Sequence, residues 1–351
     1  MGAIDAAIWA AYIAQALDLL RFEAGIRVKV LKLLADMQRE LVAELSQYDL
    51  TDFGKARANA LLRDSAEIIK AYYKDIDSMM AGKLFGMADV VIHHTKQTVI
   101  SALNVNIKYG LPPENYLKKL VSDVLIQGAP SAKWWERQSG DTAFRFANEV
   151  RQGLAQGQTT QQIVSRIVGR DGDPGIMDIA RRNANSLVIT SAQTVAAAAR
   201  RETYQRNSDV IKGIRQVSTL DSHTTAICMA YDGAEYDLND EPINGTTLPY
   251  NGGVPRHWGC RSTEVPITKT FKELGIDMPE PDGSTRASTD GQVSGKMKFE
   301  DFLKTKSAQW QDEKLGKGKA ELWRAGKMSL TQLLDQSGNP LTLKHLRELY
   351  H

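Results

Sequence analysis

Apolar residues recur at helical spacing through residues 4–48 with no proline to interrupt them. With Leu17 taken as a heptad a position, the a/d series is Leu17, Leu20, Ala24, Arg27, Leu31, Leu34, Gln38, Leu41, Leu45 and Tyr48. Eight of those ten are apolar or small, so the stretch predicts one long helix whose seam needs a partner helix, from this chain or another. After "DLTDFGKAR", where Thr51 or Asp52 is placed to cap, a second helical run carries Leu61, Ile68, Ile69, Tyr72, Tyr73, Ile76, Met79 and Met80 on one broad face. "GKLFGMADVVIHHTKQTVISALN" continues the helical pattern until Pro112–Pro113 punctuates it. Further helices are predicted in "PPENYLKKLVSDVLIQG", "DTAFRFANEVRQGLAQG", "TTQQIVSRIVGRDG" with a Thr cap, and the Ala-rich "MDIARRNANSLVITSAQTVAAAARRETYQRN".

The pattern changes near residue 211. "IKGIRQVSTL" alternates like a strand, "DGAEYDL" reads as a turn with a short strand, and "LPYNGGVPRHWGCRSTEVPI" is loop chemistry ending in another strand. The Gly/Ser/Thr/Asp/Pro tract at 278–296 reads as a flexible connection, and short helices follow it. The fold class is therefore α+β: predominantly α with long N-terminal helices, plus a small β module closed by a Cys/His clasp. Five stretches are expected: 1–112, long helices for docking; 113–210, a helical middle domain; 211–268, the β module; 269–296, a linker; and 297–351, a helical tail.

Composition narrows the function classes. The 351 residues hold 44 Lys+Arg against 42 Asp+Glu, a net charge of +2, which gives no general drive toward nucleic acid or acidic membranes. Two cysteines exclude a disulfide-dense secreted scaffold. The apolar N-terminus is broken by Asp5, Asp18, Arg21 and Glu23, and it has neither a basic leader nor an uninterrupted span of membrane length. A soluble protein assembled inside the cell is expected, with no membrane partner. Basic residues cluster at Arg200, Arg201, Arg206, Lys212 and Arg215, and again from Lys296 to Lys327, where nine Lys/Arg face five Asp/Glu. Either a phosphate contact or a solvated face fits those clusters.

The chemistry concentrates in two segments. Cys228 lies in "DSHTTAICMAYDG", and "RHWGCRSTEVP" at 256–266 places His257 three residues before Cys260. A His-x-x-Cys turn puts an imidazole and a thiolate on one side, and Cys228 supplies a third soft ligand of a tetrahedral zinc site. Asp221 or His223 is placed to be the fourth. The same residues also read as packed thiols or as one disulfide, that is, as a structural clasp. A Cys/His nucleophilic enzyme built on Cys260 and His257 lacks a glycine-rich oxyanion loop and the usual downstream partners. No P-loop, dinucleotide fingerprint, HExxH or GxSxG occurs. "HH" at 93–94 reads as helix surface, and "KWWERQ" at 133–138 reads as core plus rim or as an anchor for a partner.

"STLDSHTTAICMAYDGAEYDL" followed by "PRHWGCRSTEVPI" resembles the phage head morphogenesis family of Mu F-like minor head proteins. Asp221, Thr224, Cys228, Asp232, Gly233, His257, Cys260 and Arg261 carry the resemblance, which covers roughly 140–267. His223 stands where the family usually has Arg, Thr225 where many members have Cys, and Ser262 where many end Cys-Arg-Cys. The resemblance implies a virion structural protein, not an enzyme, that works in head morphogenesis and DNA packaging or delivery. Its implied partners are the portal protein or procapsid shell, with phage DNA and sister copies, met through the N-terminal helix, as further candidates. Its implied locations are the virion head and, during assembly, the host cytoplasm. Zinc at the clasp stays a candidate from the residues alone, and the two missing cysteines, Thr225 and Ser262 in their place, remove the fullest four-ligand arrangement. The rival readings are a zinc-stabilised nucleic-acid-binding module and a phage-borne enzyme or toxin using Cys260 and His257.

Overall fold

A computed structural model describes residues 3–47, 55–104, 107–170, 173–275, 285–288, 291–294 and 297–350. Two long helices open the chain, α1 (Ala3–Ser46) and α2 (Lys55–Leu103). They are followed by α3 (Glu114–Asp123), α4 (Ser131–Ala155) and α5 (Thr160–Val168), then by a two-residue ladder of β1 (Gly169–Arg170) with β2 (Asp173–Pro174). Helix α6 (Ile176–Gln205) leads into strand β3 (Ile211–Val217), short helix α7 (Ala226–Ala230), and strands β4 (Glu235–Asp237) and β5 (Thr263–Thr268). A hairpin of β6 (Thr285–Ser288) and β7 (Gly291–Ser294) lies within the tract that composition marks as a connection. The tail folds as α8 (Phe299–Lys304), α9 (Ala308–Leu315), α10 (Lys317–Arg324), a 3-10 turn (Thr331–Leu333) and α11 (Leu343–Tyr350). The class is α+β, mostly α, as the residue pattern predicts.

The buried stripe of α1 is not the heptad series. Leu17 is 48% exposed, and of the nine described a/d positions only Leu34, Leu41 and Leu45 are buried; Tyr48 and the candidate caps Thr51 and Asp52 lie outside the described residues. The buried positions instead repeat every eleven residues: Ile8, Leu19, Val30 and Leu41; Tyr12, Glu23, Leu34 and Leu45; Gln15, Ile26 and Met37. Helix α2 shows the same period in Ser65, Ile76, Met87 and Thr98, in Ile69, Met80 and Val91, and in Tyr73, Leu84 and Thr95. Eleven residues in three turns give about 3.67 per turn, close to a relaxed α-helix, so the stripe runs nearly straight and needs no left-handed supercoil. A 3.5-residue count drifts across that stripe and meets it only near the end of α1. The polar members of the stripe are satisfied from α6: Gln15 Oε1 accepts from Arg200 (3.0 Å) and Glu23 Oε1 from Gln193 (2.6 Å).

The chain forms two compact units: Met1–Leu19 with Ala88–Leu117 and Ala196–His351, and Leu20–Met87 with Lys118–Val195. Helices α1, α2 and α6 each contribute one part to each unit. In the second unit Trp135, 1% exposed, packs beside Tyr73, whose hydroxyl lies 2.9 Å from Thr142 Oγ1. The neighbouring Trp134 indole N–H donates to Ile126 O at 2.6 Å. "KWWERQ" is thus core and rim within this unit. Helix α5 begins with the expected threonine cap, Thr159 and Gln162 exchanging the reciprocal bonds of a capping box.

In the first unit, β3 is the central strand of an antiparallel sheet ordered β4-β3-β5. Strand β5 is buried at every position, so it reads as an unbroken strand rather than an alternating one. Gly213 permits the close pairing of β3 with β4, since a Cβ there would lie 2.4 Å from Tyr236 O. The sheet packs into a core with Ile8, Trp9 and Tyr12 of α1, Val99 and Leu103 of α2, and Tyr204 of α6. The tail covers Leu220 and Met229 with a second core that includes Phe299, Phe302, Trp323 and Leu346.

Candidate functional site

The register of β3 on β5 builds the site. Val217 pairs with Thr263, so the chain leaving β3 and the chain entering β5 emerge side by side. Ser218 and Ser262 meet there, hydroxyl to hydroxyl at 3.2 Å, and Ser218 Oγ also donates to Cys228 O at 2.7 Å. That second bond draws α7, and with it Cys228, against the end of the sheet. On the other segment, His257 to Cys260 is a tight turn closed by Cys260 N–H donating to His257 O (3.1 Å). Gly259 takes the third position at φ +72°, the left-handed conformation that such a turn asks of glycine. The turn puts the His257 and Cys260 side chains on one side.

The three groups converge. Cys228 Sγ lies 3.6 Å from Cys260 Sγ and 3.2 Å from His257 Nε2, and all three ligand atoms fall within 4.8 Å of one another. Both sulfurs are buried, Cys228 being 2% and Cys260 0% exposed, and both are free thiols. His257 Nδ1 is 3.0 Å from Trp258 O, which fixes that nitrogen as the protonated one and leaves Nε2 facing the sulfurs. Contact with the Cys228 sulfur, opposed by burial and aided by His257, pushes the Cys260 thiol down. The same sulfur contact, reinforced by burial, pushes Cys228 up. His257 is pushed up, chiefly by its contact with Cys260.

Asp221 sits outside this trio. Its Oδ1 accepts from Arg261 (2.7 Å), from the His223 backbone N–H (2.8 Å) and from Thr224 Oγ1 (3.3 Å). Burial alone would raise its pKa, but the Arg261 bond, the His223 N–H and the Arg261 charge together lower it. Asp221 locks the loop after β3 to the turn before β5. The side chain at the rim of the trio is instead Thr225, whose Oγ1 is 2.9 Å from His257 Nε2. Thr225 is the N-cap residue of α7 yet makes no capping bond, so its hydroxyl is committed to the imidazole.

Two further carboxylates shape the module. Asp232 Oδ1 accepts from Ser218 N–H (2.8 Å) and Oδ2 from Phe299 N–H (2.7 Å), joining the turn before β4 to the first residue of α8. Glu264, 4% exposed on the edge strand β5, accepts from Val254 N–H and Tyr250 Oη, both at 3.2 Å. Burial raises its pKa against the pull of those bonds and of Arg201 and Arg256. A lone charged residue inside the buried "TEVPIT" was the sequence signal for it.

Most of the other sequence candidates serve the fold. Buried Arg200 bonds Gln15 and Thr263 and stacks on Tyr12; Arg201 pairs with Asp240, Arg206 with Glu202, Lys212 with Glu273 and Arg215 with Glu235. In the tail, Lys304 pairs with Asp301 and Arg324 with Asp312, and Lys319 donates to Leu341 O. His93 is exposed and lies 3.6 Å from Asp89 one turn earlier, while His94 is half-buried against Tyr12. No described helix is long and apolar enough to cross a membrane.

Fold and site together define a mostly helical protein whose small antiparallel sheet is closed at one end by two buried thiols and an imidazole. Residues 145–265, which run from within α4 to the middle of β5 and contain the whole trio, match the family model described as phage Mu protein F like protein. The match falls on the stretch whose Asp, Cys, His and Arg spacing resembles the Mu F-like family of phage head morphogenesis proteins. Neither the curated proteins nor the solved structures contain a match to the chain.

Proposed function

We propose that the protein is a minor component of the phage head that assembles with the portal or the procapsid shell and supports morphogenesis, packaging or delivery of DNA. It acts by contact rather than turnover. The observation that carries this reading is the Mu F-like match over residues 145–265, which ends in the sheet and encloses the clasp. Burial of both sulfurs supports it, because a nucleophile has to be reached by its substrate. The heptad seam that suggested docking to sister copies is not an open surface: the apolar stripe of α1 is covered within the chain. Self-association through α1 would fall to its outward face, where Leu17 and Val28 are exposed.

The test is to tag the chain in the phage that encodes it and purify procapsids and mature heads. The tagged chain is expected to co-sediment with portal-containing particles at a few copies per particle. Its absence from both particle types would refute the proposal. Direct DNA contact is the second reading. With most of the clustered Arg and Lys side chains bonded within the chain, binding of the purified protein to duplex DNA is expected to be weak and shallow in its salt dependence.

A further inference from the structure

We propose that Cys228, His257 and Cys260 bind one soft divalent metal ion, zinc by preference, as a three-ligand site with its fourth coordination position open beside Thr225. This goes beyond the head-protein reading and does not depend on it.

The three ligand atoms lie close enough to share one ion, with the sulfur–sulfur edge at tetrahedral spacing and the sulfur–nitrogen edge slightly short of it. Zinc–sulfur bonds of about 2.3 Å and zinc–nitrogen bonds of about 2.0 Å put ligand atoms roughly 3.5–3.8 Å apart. The observed separations are 3.6 Å between the sulfurs and 3.2 Å from Cys228 Sγ to His257 Nε2. A disulfide would require the sulfurs at about 2.05 Å. The donor set selects the metal, since two thiolates and an imidazole suit zinc and repel hard cations such as magnesium or calcium. The orienting contacts are also in place. Trp258 O holds His257 through Nδ1, the arrangement that aims Nε2 at a metal. The His257–Cys260 turn and the Ser218 bond to Cys228 O fix the two sulfurs from opposite segments.

Among the described residues, none offers a strong ligand for the fourth corner. Asp221 is committed to Arg261 and the His223 N–H, and Ser262 Oγ donates to Ser218 Oγ. What faces the trio from the exposed side is the Thr225 hydroxyl, 2.9 Å from Nε2, so water or that hydroxyl completes the shell. The ion would staple the loop after β3 to the turn before β5, and it would exchange more readily than an ion held by four thiolates.

The experiment uses the full chain, made with zinc supplied and purified under reducing conditions without chelators. Elemental analysis is expected to give about one zinc per chain, and stripping the ion should lower Tm by roughly 5–10 °C. Cobalt in place of zinc should show thiolate-to-metal charge transfer and the visible bands of a four-coordinate site. Cys228→Ser and Cys260→Ser should each lose the metal. Should those variants fail to fold, Thr225→Cys decides: a fourth thiolate at the open corner should slow zinc release to a chelating dye at least about ten-fold. Three results overturn the proposal. One is less than about a tenth of an equivalent of metal after reconstitution with excess zinc. Another is a cobalt complex lacking thiolate charge transfer. The third is two cysteines that resist alkylation until a reductant is added.

Discussion

Asp221 and Glu264 are two carboxylates in one small module with opposite pH signatures. Arg261 and the His223 N–H hold Asp221 below its ordinary value, so its contribution is full above about pH 4, the unfolded value, and fades as pH falls through the depressed one. Asp221→Asn should cost about 1–3 kcal/mol near neutrality, and its denaturation midpoint should converge on the wild type in acid. Equal penalties at pH 7 and pH 3 would show that the loss is packing, not charge. Glu264 runs the other way. Burial holds its carboxyl above the usual range, so folding favours the protonated form and stability falls as pH rises from about 4.5 through the raised value. Glu264→Gln keeps acceptors for Val254 and Tyr250, and thermal melts should show it gaining on the wild type as pH rises from 4 to 8. Asp221 was legible in the sequence as a candidate ligand, but its partner Arg261, forty residues on, could be assigned only once β3 had paired with β5.

At the scale of elements, the length and helicity of α1 and α2 were legible because no proline or glycine cluster breaks them. Which side faces inward was not. A seven-residue and an eleven-residue count choose different leucines, and only packing tells them apart. The two counts make separable predictions. Leu34→Asp places a carboxylate at a fully buried position and should cost about 3–5 kcal/mol, whereas Leu17→Asp, at a 48% exposed position, should cost less than about 1 kcal/mol. Urea denaturation of the two variants checks it, and equal losses would restore the heptad face. The clasp shows the same division. His-x-x-Cys with its glycine announced a turn, while the approach of Cys228 depended on Val217 pairing with Thr263.

Across the whole molecule, the tail is the part that sequence texture separated most misleadingly from the β module. A Gly/Ser/Pro tract precedes it, yet Phe299, Phe302 and Trp323 bury Leu220 and Met229, and Asp232 holds the Phe299 N–H. Asp232→Ala leaves two buried N–H groups, those of Ser218 and Phe299, without their acceptor. The expected loss is about 2–4 kcal/mol, with amide exchange accelerated in α8 and in the loop after β3 together. Exchange that quickens in only one of them would mean that the carboxylate does not couple the two.

Local rules sufficed for whatever needs only neighbours along the chain: the helices, the capping box at Thr159, the turn at Gly259, and the Asp, Cys, His and Arg spacing that resembles the Mu F-like head proteins. Tertiary structure decided what depends on residues meeting across long separations. It chose the buried face of α1, absorbed the arginine cluster after Arg200 into ion pairs and hydrogen bonds, bound Asp221 to Arg261 and set Thr225 at the open corner. The reason is physical. A helix or a turn is specified by bonds spanning three or four residues, whereas a ligand set or a core face is specified by which strands and stripes dock, and one chain's periodicity leaves that choice degenerate.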